Sequence, residues 1–205
     1  MSESPNRVPA PGALRLIQAF LNTRDPEADI DLLRDSESAR AWLRERRLID
    51  PDTLVSDADL PALLRVREAL RSLAAAGQAG ETDPDALETL SRVARTTRLA
   101  VRFRPDGRAE LEPDLPGVDG ALGRLLGVVY TAMIEGTWSR LKICRREACG
   151  RAFYDRSKNR SASWCSMAVC GNREKARTYR LRRAARLAGE ASRRPHQVQP
   201  AEPRP

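Results

Sequence analysis

The four cysteines of this 205-residue chain, Cys144, Cys149, Cys165 and Cys170, all fall in one short segment. Two Cys-x4-Cys pairs separated by fifteen residues form a pattern that closes a loop around one metal ion, each pair chelating from its own side. Four intervening residues per pair sit at the long edge of ligand spacing, so the neighbours of the cysteines carry weight. Leu141-Lys142-Ile143 leads into the first pair like a short strand. Gly150 follows the second ligand, where a tight turn needs a residue that tolerates positive φ. Phe153, Tyr154 and Trp164 lie between the pairs and offer the apolar packing that so small a module lacks. Gly171-Asn172 then precedes a helical stretch with Ala176, Tyr179, Ala184 and Leu187 on one side. A hairpin holding one pair and a helix start holding the other make a treble-clef-like zinc finger. In a reducing compartment clustered thiols bind metal more often than they pair as disulfides. A closed four-thiolate site with aromatic packing calls for Zn2+ rather than an iron–sulfur cluster.

The same segment is strongly basic. Residues 139–188 contain fifteen Lys/Arg and three Asp/Glu, a net +12, whereas the rest of the chain is −4. Four thiolates around Zn2+ leave a charge of −2, which accounts for some of these cations but not for fifteen of them. The split points to a polyanionic partner.

The residues ahead of the cysteines read as mainly helical. Leu14, Ile17 and Leu21 make a short amphipathic helix ending at Asn22-Thr23. A second runs from Ser36 to Arg47 with Trp42 and Leu43 inward. Asp57 is expected to cap a longer helix through Leu60, Leu63, Leu64, Leu70 and Leu73, stopped by Gly77. Asp83-Pro84 opens another through Leu87, Leu90 and Val93. The period then changes to two. Leu99, Val101 and Phe103 alternate with polar residues, Pro105-Asp106-Gly107 turns, and Ala109 and Leu111 return as a β-hairpin. A helix of over 20 residues follows, with Val118, Leu122, Leu125, Val129 and Met133 in one stripe. The expected architecture is mainly α (α+β): a helical N-terminal domain with an inserted hairpin (1–138), the finger with its basic helix (139–188) and a disordered tail (189–205). No run of about 18 uninterrupted apolar residues suggests a membrane span, and Met1 to Pro11 lacks a secretory apolar region, so a cytoplasmic location is expected.

Cys144 to Arg173 resembles the CGNR zinc finger, named for the tetrad seen here as Cys170-Gly171-Asn172-Arg173. The resemblance extends to Phe153-Tyr154-Asp155, Ser157-Lys158-Asn159-Arg160, Trp164-Cys165-Ser166-Met167 and Lys175-Ala176-Arg177. It departs at Ser161-Ala162-Ser163, where the family tends to carry further basic residues. Phe20-Leu21-Asn22-Thr23, the Trp42-Leu43 helix and the segment from Arg67 to Leu73 are similar to the ABATE domain that usually precedes this finger. The resemblance implies a transcription regulator.

Duplex DNA is therefore the leading expected partner. Arg173, Arg177 and Arg180 recur at helical spacing as one basic ridge beginning beside the metal. Lys158, Asn159 and Arg160 sit on the loop between ligand pairs, and Lys175 lies on the same helix. Arginine suits phosphate through its planar fork, and Asn or Arg can also read base edges. Asn172 reads as a helix-start cap, with base reading the alternative. A zinc-stabilised module for RNA or protein partners is the second reading. An enzyme is not expected: the single His196 lies in the tail, the thiols are committed to a closed site, and neither a phosphate-cradling glycine loop nor a nucleophile elbow occurs. Economy assigns a regulator's input to the helical domain, through a small-molecule ligand or homodimerisation.

Overall fold

The computed structural model describes residues 9–192, with side chains as far as residue 187. Helix α1 (Leu14–Leu21) buries Leu14, Ile17, Phe20 and Leu21, the stripe its spacing predicts. A two-residue ribbon follows, β1 (Arg24–Asp25) antiparallel to β2 (Ile30–Asp31), which the sequence reading does not anticipate. Helix α2 (Ser36–Glu45) starts where the Asp35 side chain accepts from the Ser38 N–H, and it buries Ala39, Trp42 and Leu43. It stops at Glu45 rather than Arg47, whose φ of 55° lies outside helical space.

Helix α3 (Leu60–Ala79) departs from expectation at both ends. Its start is set by Pro61 in the first turn, not by a cap at Asp57, and the Asp59 carboxylate turns back to the Ser56 N–H and hydroxyl. Gly77 is absorbed into the helix, and the stop falls at Gly80, where φ is 77°. Helix α4 (Pro84–Thr96) begins as its Asp83-Pro84 signal predicts, Asp83 accepting from the Ala86 N–H. The hairpin β3 (Leu99–Phe103) and β4 (Ala109–Pro113) pairs Val101 with Leu111.

Helix α5 (Gly117–Ile134) is, by length and composition, apolar enough to cross a bilayer, but 56% of it is buried inside the protein. Its Ala121, Leu122, Leu125 and Val129 complete one core with Ile17, Phe20, Leu63, Val66 and Leu70. The opposite side carries glycines so that β4 can lie against it. A Cβ at Gly123 would stand 2.6 Å from Pro113 Cβ, and one at Gly127 3.0 Å from the Leu111 carbonyl oxygen.

A 3₁₀ turn (Trp138–Arg140) leads into the last hairpin, β5 (Leu141–Ile143) with β6 (Ala152–Tyr154). Strand alternation gives this hairpin two faces. Leu141, Ile143, Ala152 and Tyr154 pack into the helical core, while Phe153 belongs to a second cluster with the four cysteines, flanked by Trp164. Tyr154 thus serves the helical core instead of the cysteine module. After a π-type turn (Met167–Gly171), helix α6 (Asn172–Ser192) closes the described chain, so residues 189–192 continue the helix. The remainder of the predicted tail, with His196, lies outside the described residues.

Candidate metal centre and nucleic-acid interface

Four elements bring the cysteines together. Cys144 directly follows β5, and its N–H donates to the Arg151 carbonyl across the hairpin. Cys149 follows a turn closed by N–H donation to Arg146, and the next residue, Gly150, has φ of 53° as the tight turn requires. Cys165 leaves the loop after Trp164, and Cys170 sits in the π-type turn capped by the Ser166 hydroxyl, which accepts from Val169. All four are buried, and their Sγ atoms lie within 4.8 Å of one another. Cys149 Sγ and Cys170 Sγ each stand 3.7 Å from Cys165 Sγ. That is the wrong distance for a disulfide, which needs about 2.05 Å. It matches the edge of a tetrahedron with metal–sulfur bonds of about 2.3 Å, an edge of about 3.8 Å. The donor set and its spacing therefore fit one tetrahedral, thiophilic cation.

The electrostatics point the same way. Hydrogen bonds with Cys144 and Cys165 draw the Cys149 thiol strongly down, and those with Cys144 and Cys149 drive Cys165 strongly up. Such crowded sulfurs require a cation to hold them all as thiolates. Arg146 Nε donates to Cys170 Sγ at 3.4 Å, and that sulfur raises the guanidinium above its ordinary value.

The loop between the ligand pairs is held by a buried ion pair absent from the sequence-based site. Lys142, on the metal side of β5, donates to Asp155 Oδ2 at 2.7 Å and to the carbonyls of Arg160 and Ala162. Asp155 also accepts from the N–H groups of Ser157 and Ala162. Burial pushes its carboxyl up, but these donors outweigh it and bring the pKa down to about 2. Arg140 completes the frame by donating to the Asp155 and Ser157 carbonyls. Lys158, Asn159 and Arg160 are thereby presented on the surface by a fixed loop, with Arg160 at φ of 51°.

On α6, Arg173, Lys175, Arg177 and Arg180 are all exposed. Arg173 is paired with Glu27 at 2.5 Å, Arg177 with Glu174, and Arg180 Nε donates to the Ala176 carbonyl. Asn172 does not accept as an N-cap. Ser166 caps the turn ahead of it, and the Asn172 amide donates back to the Ala168 carbonyl. The structure thus separates the predicted cationic residues into two groups, the knuckle loop and the helix.

Between finger and helical domain runs a dense polar seam. The Asn22 amide both donates to and accepts from the backbone of Ala152. Arg71 donates to the Leu21 and Gly150 carbonyls, and Gln78 accepts from the Ile143 N–H. Arg151 pairs with Asp25, while Glu27 accepts from both Arg146 and Arg173. One carboxylate on the β1–β2 loop thus touches the guanidinium that bonds the metal-site sulfur and the guanidinium that opens the basic helix. Behind the seam, buried Arg67 forks onto Asp31 and donates to the Thr23 hydroxyl.

Residues 14–135 match the family model ABATE, described as "Putative stress-induced transcription regulator", and residues 140–183 match the CGNR zinc finger. Among curated proteins none matches the chain.

Proposed function

Because the chain belongs to the ABATE family and carries a CGNR zinc finger behind it, we propose that it is a transcription regulator that binds duplex DNA through α6 and the knuckle loop, with Zn2+ as the scaffold at the four cysteines. The observation that carries this reading is the distribution of charge around α6. Successive helical residues turn by about 100°. Arg173, Arg177 and Arg180 consequently line one side of the helix, and Lys175, Arg182 and Arg186 line the opposite side. A basic patch for an acidic protein needs only one face. A helix seated in the major groove, about 12 Å wide, has a phosphate strand on each flank, and two opposed cationic ridges suit it. The sector between the ridges that includes Asn172, Ala176 and Arg183 would then face base edges. The sector with Glu174 would face away from the duplex.

The residues of the chain supply position, not chemistry. When bound, the metal would fix the start of α6 relative to β5 and β6, and Lys142 and Asp155 fix the knuckle loop. With all four thiols gathered in one closed cluster, the proposal assigns the protein no reaction.

A salt titration of zinc-loaded protein on duplex DNA tests the reading. About six phosphate contacts predict a log–log slope of roughly −5. Arg177→Ala and Arg182→Ala should each shallow that slope by about one unit, since they stand on opposite ridges. A slope near zero, or stronger binding to RNA or to an acidic protein than to duplex DNA, would sink it.

A further inference from the structure

The hairpin β3–β4 leaves one edge open. The Asp114 N–H donates to the Arg98 carbonyl, and the Arg104 N–H to the Arg108 carbonyl. With the register Val101↔Leu111, backbone bonds within the hairpin therefore use residues 98, 100, 102 and 104 of this strand. The N–H and C=O groups of Leu99, Val101 and Phe103 point the other way. Among the described residues no strand pairs with that edge. Neither proline nor a bulge blunts it, the usual defences of an edge strand.

The side chains on this edge are apolar and exposed. Leu99, Val101 and Phe103 share a face with Pro113 and Leu111, which lie on the α5 glycines. Yet β3 overhangs the helix, leaving Val101 58% and Phe103 81% exposed. β4 runs antiparallel to α5, with Pro113 at Gly123 and Leu111 at Gly127. Two residues further, the Phe103–Ala109 pair reaches the level of the last turn of α5. There Tyr130, Met133 and Ile134 are 54%, 43% and 72% exposed. An apolar patch beside a row of unpaired backbone groups marks an association surface.

We propose that this surface is a homodimer interface in which β3 pairs antiparallel with β3 of a second copy about a two-fold axis at Val101. Its self-complementarity selects that occupant. Val101 exchanges both backbone bonds with the partner's Val101, and Leu99 does so with the partner's Phe103, so every outward group is satisfied. Both apolar sets then fall on one face of a four-stranded sheet. On the other face Arg102 comes opposite the partner's Ala100. The two central rows across the sheet read Glu112, Ala100, the partner's Arg102, the partner's Glu110, with no like charges adjacent; in the next row Arg104, already paired with Glu110 and Glu112, comes opposite the partner's Arg98. Association also stops at two copies, because the outer strand β4 carries Glu110, Glu112 and Pro113, poor material for a further edge. This inference does not depend on DNA binding.

The test uses full-length, metal-loaded protein. Sedimentation should give twice the chain mass for the wild type and the single-chain mass for Val101→Pro, whose lost N–H points outward and leaves the hairpin ladder intact. Its folding is checked by circular dichroism and metal content. Independently, Val101→Cys should cross-link to itself under mild oxidation, since directly opposed residues have Cα atoms about 5.5 Å apart, within disulfide reach. Leu99→Cys, displaced from its own copy, should cross-link roughly tenfold more slowly. A monomeric wild type, a dimer indifferent to Val101→Pro, or equal cross-linking at 99 and 101 would each overturn the proposal. A stable complex of monomeric chain with an unrelated protein at this edge would do the same.

Discussion

Two ion pairs, each with a buried cation, decide much at the scale of single residues. Arg67 lies on the apolar stripe of α3 at 3% side-chain exposure, and its fork meets both oxygens of Asp31. Removing one partner of such a pair strands the other. Because Asp31 is 29% exposed and regains some water, Arg67→Ala should cost about 2 kcal/mol in urea unfolding, as for the loss of a charged hydrogen bond. Arg67→Lys should recover little of it, because a point charge cannot replace a bidentate fork. Asp155 obeys the same rule in the finger, and its pH dependence has a definite sign. Its folded pKa, about 2, lies below its ordinary 3.8. Its stabilisation is thus complete above about pH 4 and lost as pH falls through about 2. The difference in unfolding free energy between wild type and Asp155→Asn should shrink across that window; a constant difference would refute the assignment. Glu27 invites a third substitution. Under the proposed DNA reading, phosphate must compete with its carboxylate for Arg173, so Glu27→Gln should tighten DNA binding about twofold, roughly 0.5 kcal/mol for one exposed pair. Unchanged or weaker binding would show that the carboxylate does not compete.

Elements are where sequence and structure can be compared most closely. Gly123 and Gly127 let β4 lie on α5, so Gly123→Ala should push strand from helix and cost about 1–3 kcal/mol of stability, measurable by thermal unfolding. The helices α1, α2 and α4, the hairpin β3–β4 and the clustering of four cysteines were legible in the chain because each depends on local periodicity, caps or spacing. The ends of α3 were not. Asp57 and Gly77 carry the usual punctuation, but Pro61 had already set the first turn, and continued packing drew Gly77 into the helix. Lys142 was hidden for a different reason. A lysine in a short strand reads as a solvent-facing residue, and only the folded loop reveals the carboxylate and carbonyls around its ammonium. Glu27 was equally invisible, since its partners Arg146 and Arg173 lie 119 and 146 residues away. Such long-range polar contacts leave no periodic trace.

For the whole molecule, the seam makes finger and helical domain one structural unit. Leu141 and Ala152 are buried in the same core as Ile17 and Leu63. Chelating the metal should therefore disturb more than the cysteine module, because metal binding is folding energy for the hairpin that plugs this core. Hydrogen exchange after chelation should accelerate in α1 and α3 as well as in residues 139–188. Protection lost only around the cysteines would show that the seam does not transmit. Asn22→Ala, which removes both bonds to Ala152, should mimic part of this effect with metal still bound.

The two-faced hairpin β5–β6 bears on how such a finger can be inherited or engineered. A portable module presents a wettable exterior on every side, whereas this one turns Leu141, Ile143, Ala152 and Tyr154 toward a neighbour. Grafted onto an unrelated carrier, residues 139–188 would bring a sticky underside and lack Asn22, Arg71 and Gln78 to receive it. The finger is therefore transplantable only together with its socket, and changes on the socket and on the hairpin underside are expected to occur in step.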